Sequence, residues 1–275
     1  MRKKTPFSYF ILVLLLIFGF IAFFPIYMAI INSFKDQGEI FNSVLAFPTS
    51  FRFENYTGAL ERINILQSAL NTLIVTVIGL TGITICSSMA GWKLSRTSGK
   101  LSNLFFIFFL SSMLVPFHAI MISITRVATT LSIQDNVIGL GFIYIGLGVN
   151  LAIFLYHGFV KSVPRELEES ARMDGCGELQ IFLRIVFPLL KPITATILIL
   201  NSLWVWNDFL LPLIMLSNVN NQTLILAINA LFGEFHTDWP KVLAALIMVS
   251  LPVLIFYIIF QKNIMKGIAE GAIKS

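Results

Sequence analysis

The chain has 275 residues, of which 57% are hydrophobic and only 12% charged, with 26 phenylalanines. A soluble domain carries about a quarter charged residues, and the polar remainder here is too small to cover a core of this size. Composition therefore excludes a soluble globular domain and leaves lipid as the solvent. The net charge of +5 does not point to nucleic acid, because the basic residues sit in short clusters between apolar runs, where membrane orientation accounts for them. Cys86 and Cys176 fall in an apolar run and a charged loop, so no disulfide framework is implied. Three isolated histidines add no metal-ligand spacing.

In chain order, the first apolar run, Phe7 to Ile31, follows Arg2, Lys3 and Lys4. It is too long for a signal-peptide core and lacks a small-residue cleavage site, so it reads as a retained helix. Five further runs suffice to cross a bilayer, which takes roughly 20 residues: Ala69 to Met89, Leu104 to Ile124, Val137 to Tyr156, Ile193 to Leu216 and Val242 to Phe260. In lipid each must be helical to satisfy its own backbone. The expected fold class is all-α: a polytopic membrane protein with six transmembrane helices forming one transmembrane domain over residues 1–275.

With the N-terminus inside, the cytoplasmic segments hold 14 Lys and Arg and the outer segments five, together all 19 in the chain. That bias sets both termini in the cytoplasm. The outer segment Asn32 to Ser68 is expected to hold a short surface helix. Pro116 and Pro252 are expected to kink the third and sixth spans, and Pro212 to bend or end the fifth. Gly139, Gly141, Gly146 and Gly148 suggest close helix packing in the fourth span. Asn71, Asn150 and the Thr and Ser residues of the second span suggest helix–helix hydrogen bonds. His118 and His157 read as structural or interfacial.

The inside segment from His157 to Lys191 is the most charged part of the chain. Pro164 suits a helix start, and Glu166, Glu168 and Glu169 place negative charge where the helix dipole favours it. Leu167, Ser170 and Ala171 are expected on one face. Asp174-Gly175 signals a turn that ends the helix. A second helix from about Glu178 to Phe187 carries an apolar stripe of Leu179, Phe182, Leu183 and Val186 before Pro188 interrupts it. The result is a helix–turn–helix on the cytoplasmic face, suited either to a groove in a partner protein or to the lipid interface.

Glu169-Ser170-Ala171, then Asp174-Gly175, then Pro188 resemble the EAA loop of binding-protein-dependent ABC transporter permeases, with Ser170 in place of the middle Ala. Phe47-Pro48-Thr49 with Asn55-Tyr56 and Ala59-Leu60, Asn71-Thr72, and Trp204 to Phe209 with Pro212-Leu213 resemble the maltose-type sugar branch. The tail Gln261-Lys262, Gly267 and Gly271 to Lys274 resembles that branch's second permease subunit. The resemblance implies a multi-pass permease of the cytoplasmic (inner) cell membrane, importing a sugar or oligosaccharide. Its implied partners are a cytoplasmic ABC ATPase dimer, a second permease subunit of different sequence and an extracytoplasmic solute-binding protein. Glu169, Ser170, Ala171, Asp174, Gly175 and Pro188 would then couple to the ATPase, and Gly267, Gly271 and Lys274 would reach it from the tail.

Asp208 is the one acidic residue in an apolar run, and ionisable groups at membrane depth face a cavity or a partner. With Trp204 and Asn207 it forms a candidate pathway lining suited to a sugar, whose ring faces are apolar and whose hydroxyls are many. The competing reading is an aromatic belt at the outer interface. The chain shows no G-x-x-x-x-G-K-[ST] phosphate loop, nucleophile–base pair or metal-ligand set. No catalytic residue and no cofactor is therefore expected, and a membrane-embedded enzyme is disfavoured. A secondary transporter would show internal repeats or interrupted helices, and the sequence offers no clear case.

Overall fold

The computed structural model describes residues 6–232 and 237–272, which among themselves form helices and connections with no strand. In order these are α1 (Pro6–Ser33), α2 (Gln37–Asn42), α3 (Glu54–Arg62), α4 (Ile65–Arg96), α5 (Lys100–Ser112), α6 (Phe117–Thr130), α7 (Val137–Val160) and α8 (Arg165–Met173). Then come α9 (Glu178–Ile181), a π-helical segment (Phe182–Val186), α10 (Phe187–Leu189), α11 (Lys191–Asn207), α12 (Leu210–Met215), α13 (Leu224–Ile228) and α14 (Trp239–Ala272). Four of the six apolar runs fall on unbroken helix, and the third and fifth are each divided between two helices. Among the described residues, α1, α4 and α7 are each long and apolar enough to cross a membrane, and two bent helix pairs bring the number to five. The described part of α14 adds a shorter apolar helix, Trp239–Ile255. The molecule is an all-α membrane protein.

The chain divides into two compact units. The first comprises residues 1–65 and 227–251. None of the apolar window of α1 is buried, at a mean hydropathy of 2.8. Its C-terminal end is held by polar contacts. Asn55 donates to the carbonyls of Ser33 and Lys35, both at 2.8 Å, and Asn32 donates to Met28 and Val44. Phe34 packs on the rings of Phe51, Phe53 and Tyr56. Asp36 caps α2, accepting from the Glu39 amide at 2.8 Å, and pairs with Arg52. Burial pushes the Lys35 ammonium below its ordinary value, with nearby Glu39 opposing. Two helices, α2 and α3, thus occupy the segment expected to hold one.

The second unit comprises residues 66–226 and 252–275. Within it α4 and α7 approach closely through glycines. A β-carbon on Gly91 would lie 2.6 Å from Cβ of Tyr156, and one on Gly148 would lie 2.3 Å from Cδ1 of Ile83. Glycine at position 91 is therefore required for the helices to approach this closely, whereas at position 148 the obstacle is the flexible end of Ile83. Gly141 packs on Ile78 in the same way, but Gly146 faces open space, so the glycines of α7 are not one packing stripe. Only 39% of the apolar window of α4, and likewise of α7, is buried within the chain.

Several expectations are corrected here. The third run is not one kinked helix: α5 and α6 meet at 103° across a short break, and Pro116 is the N-cap of α6. The fifth run breaks at Asp208 and Phe209, with Pro212 inside α12 rather than at the bend. These are interrupted helices that the hydropathy pattern did not reveal. The fourth span continues to Val160, so His157 belongs to it, stacked on Phe106. Thr72 and Thr76 donate within their own helix, though the Thr72 hydroxyl also accepts from the Leu224 amide at the start of α13 at 2.8 Å, and Asn71 donates to the backbone of Asn220 and Gln222. Only Ser87, donating to Val149, links α4 to α7 among the expected hydroxyls.

Candidate functional site

The helix–turn–helix begins where Pro164 fixes an extended backbone ahead of α8. Glu166 and Glu168 lie in the first turn and Arg172 in the last, each favourable to the helix dipole. The helix ends in a Schellman motif. Gly175 takes φ +85°, its amide donates to Arg172 O, and the Cys176 amide donates to Ala171 O. A β-carbon at Gly175 would meet nothing within 4 Å, so backbone conformation alone demands glycine.

The faces differ from expectation. Glu168 and Ala171 are buried, whereas Leu167, Glu169 and Ser170 are exposed, as is Met173 at 88%. The expected stripe also divides: Phe182 and Val186 are buried, while Leu179 and Leu183 are exposed. Pro188 does not interrupt the helix. It stands inside α10, directly after the π turn at Phe182–Val186. The chain bends after Leu189, where the α9–α10 segment meets α11 at 76°. Glu169, Ser170, Asp174 and Gly175 therefore share one exposed end of the α8 turn, Ala171 faces inward beside them, and Pro188 lies a helix away.

Sequence reasoning missed what holds this element. Glu168 pairs with Arg96 of α4 at 2.8 Å and accepts from Trp92 Nε1 at 3.1 Å. Glu178 accepts from Arg172 at 2.7 Å and from Lys93 at 3.2 Å. Those two cations, Arg172 first, hold its carboxyl below the usual carboxylate range. The available signal was Trp92 and Arg96 four residues apart at the end of an apolar run.

A second feature lies where the two broken helices meet α7. A concavity of about 580 Å³ is lined by Ser112, Met113, Phe117, Gly146, Asn150, Trp204 and Asp208, among others. Tyr144, fully buried, donates to Asp208 Oδ2 at 2.8 Å and meets Trp204 edge-on at 5.3 Å. Asp208 Oδ1 accepts from the Leu210 amide at 3.0 Å, at the start of α12. Trp204 remains 40% exposed. Asn207 does not line this space; its amide turns back to Leu203 O. The cavity thus offers an aromatic face, an amide and a carboxylate held by two donors. Of the tail residues, Gly267 and Gly271 lie in α14, and Lys274 falls outside the described residues.

Apolar helices long enough to span a membrane, two of them broken, a mainly apolar cavity beside the breaks set with a few polar groups, and a charged helix–turn–helix together define a membrane translocation component. The chain belongs to the family of binding-protein-dependent transport system inner membrane components, whose profile matches residues 82–268. It is 35% identical over 274 residues, covering 100% of both chains, to the probable starch degradation products transport system permease protein AmyC of Thermoanaerobacterium thermosulfurigenes. It is 36% identical over 253 residues, 92% of this chain and 91% of the other, to the melibiose/raffinose/stachyose import permease protein MelC of Bacillus subtilis. Among solved structures, a bacterial ABC transporter involved in import of the acidic polysaccharide alginate superimposes with TM-score 0.82 at 24% identity, covering 95% of this chain and 98% of that one. That likeness is one of fold.

Proposed function

We propose that this chain is the permease subunit of an ATP-driven importer for an oligosaccharide delivered by an external binding protein. The observation that carries the sugar reading is the concavity beside Trp204, with Asn150, Ser112 and the Tyr144-held carboxylate of Asp208 around it. An exposed indole suits the apolar face of a pyranose, and amide and carboxylate groups suit its hydroxyls. The relatives named for starch degradation products and for melibiose, raffinose and stachyose support the same substrate class. Trp204 and Asp208 are the pathway-lining residues in this reading, and Asn207 acts by holding the end of α11.

The exposed turn of α8 is the coupling element, docking through Glu169, Ser170, Asp174 and Gly175 into an ATPase of a cytoplasmic dimer. Ala171 anchors it from within, and Pro188 follows the π turn that leads to α11. Both termini lie in the cytoplasm, consistent with the Lys and Arg bias, and the tail around Gly267, Gly271 and Lys274 reaches the same ATPase. A second permease subunit completes the pathway, and the chain's two units serve one permease domain. Energy enters as a population shift, ATP favouring one arrangement of the spans over the other.

The test is reconstitution of the complete importer in proteoliposomes with its binding protein, presenting labelled maltotriose, raffinose, a dipeptide and a free amino acid in parallel. ATP-dependent uptake of an oligosaccharide is expected, with Gly175→Pro hydrolysing ATP but failing to take it up. Uptake of the dipeptide or amino acid alone sinks the substrate reading. Normal uptake by Gly175→Pro sinks the coupling role.

A further inference from the structure

The helix–turn–helix is joined to the rest of its unit by an ion pair in a nearly dry place. The side chains of Arg96 and Glu168 are only 12% and 6% exposed. Arg96 reaches Glu168 Oε1 through Nε and through Nη2, both at 2.8 Å. The same Nη2 donates to Val163 O at 2.7 Å, in the link ahead of α8. Trp92, one turn earlier on α4, donates to the other carboxylate oxygen and packs on Phe182 at 5.4 Å. One carboxylate thus ties α8, the preceding link and the π segment to the last turn of α4. Adjacent to it, Gly91 brings α4 against Tyr156 and the backbone of α7.

A buried ion pair is a poor device for stability, since desolvation offsets its attraction. Its strength is directional: a guanidinium and a carboxylate engage in few geometries. An apolar contact between α8 and α4 would allow sliding, whereas this one resists it.

We propose that Arg96 and Glu168 are positioning residues forming a transmission joint, which makes α4 move as one body with the helix–turn–helix. Motion delivered to α8 then passes to α4 and, across the Gly91 contact, to α7. This inference rests on the coupling role proposed above for α8.

The experiment uses the assembled complex of the chain with its ATPase and partner permease, in a Cys176→Ser background. Spin labels sit on native Cys86 of α4, which is exposed, and at one of two exposed sites, Arg165→Cys at the start of α8 or Leu101→Cys on α5. Distances are read without nucleotide and after trapping with ATP and vanadate. In the otherwise unaltered complex the 86–165 distance should hold while the 86–101 distance shifts. In Glu168→Ala, assembly and basal ATP hydrolysis should persist, the 86–165 distance should change on trapping, and the 86–101 shift should fall to about half or less, as expected when a rigid-body motion is no longer transmitted. Should Glu168→Ala not assemble, Arg96→Met with Glu168→Met keeps volume, leaves no buried charge and gives the same readout.

A full 86–101 shift in either variant overturns the joint. So does an 86–165 change in the unaltered complex as large as the 86–101 change. If no ATPase co-purifies with the unaltered chain, the joint and the coupling role fall together; if it does co-purify and only the variants behave normally, the joint alone fails.

Discussion

Gly91→Ala tests the packing of α4 on α7 most severely. The added Cβ would lie 2.6 Å from Cβ of Tyr156, 3.0 Å from the His157 amide nitrogen and 3.3 Å from Ile153 O. Carbon atoms rest at about 3.5–4.0 Å, so the helices must separate by roughly 1 Å. No rotamer relieves it, because the obstacles are backbone and a β-carbon. Overpacking of this kind costs about 1–3 kcal/mol, while replacing a mid-helix glycine by alanine returns about 1 kcal/mol of helix propensity. A net loss of about 0–2 kcal/mol follows. Gly146→Ala is the control: its Cβ meets nothing within 4 Å, so only the propensity gain of up to about 1 kcal/mol remains. Gly82→Ala falls between, since the obstruction is the flexible end of Ile145. Thermal melting of the detergent-solubilised protein should rank the midpoints Gly146→Ala, then Gly82→Ala, then Gly91→Ala, with the first at or above the unaltered protein. Equal midpoints for Gly91→Ala and Gly146→Ala would refute the close-contact argument.

Tyr144→Phe leaves the Asp208 carboxylate without its buried donor and should cost about 1–3 kcal/mol in the same melt; Asp208→Asn keeps an acceptor oxygen for the Leu210 amide and turns its other atom into a donor that the Tyr144 hydroxyl can accept, so it should melt close to normal but slow uptake if the charge serves the solute. Gly175→Val places a β-branched residue at φ +85° and should lose about 1–2 kcal/mol of local stability, read as faster proteolysis of the α8–α9 turn, whereas Gly175→Asn should be tolerated. Asp135 accepts from the amides of Ser217 and Asn218 at 2.9 Å each, and these bonds, that from Asn218 foremost, hold its carboxyl below the ordinary range. A depressed carboxylate stabilises fully above its unfolded value of about 3.9 and loses that contribution as pH falls toward the folded value. Amide exchange at Ser217 and Asn218 should therefore be pH-independent from neutrality to about pH 4 beyond its intrinsic rate and accelerate below, with Asp135→Ala accelerated throughout.

What the sequence disclosed is what local chemistry determines. Pro164, the first-turn glutamates and Gly175 bound α8 because each acts through its own backbone or its own helix end. The six apolar runs were legible because lipid imposes a length. The faces of the helix–turn–helix were not. A stripe of Leu179, Phe182, Leu183 and Val186 presumes 100° per residue, and the π turn at Phe182–Val186 advances by less. Which residues turn inward is decided by Trp92 and Arg96 of α4, more than 70 positions away in the chain. Glu168 illustrates the limit: in sequence it is one of three glutamates favouring a helix start, and only the partner reveals it as the buried one. Asn207 and Asp208 were read together because they are adjacent, yet the end of α11 falls between them and sends their side chains to different tasks.

The two broken spans were hidden for a related reason, and their breaks explain the cavity. Hydropathy averages over a run and is blind to a turn inside it. In hydrocarbon, backbone freed from a helix must find partners or border a polar space. Both interruptions obey this. Ser112, Met113 and Val115 at the α5–α6 break and Asp208 at the α11–α12 break line the same concavity. Asp208 satisfies the freed Leu210 amide, and Tyr144 in turn satisfies Asp208. Gly146 of the fourth span, where an added β-carbon would meet nothing within 4 Å, opens onto the same space. An ionisable residue inside an apolar run, a proline that begins rather than bends a helix, and a glycine without a neighbour thus meet at one place: irregular backbone at membrane depth needs polar partners, and the mainly apolar cavity that holds them, set with Ser112, Asn150 and Asp208, is one that a hydroxylated solute can use.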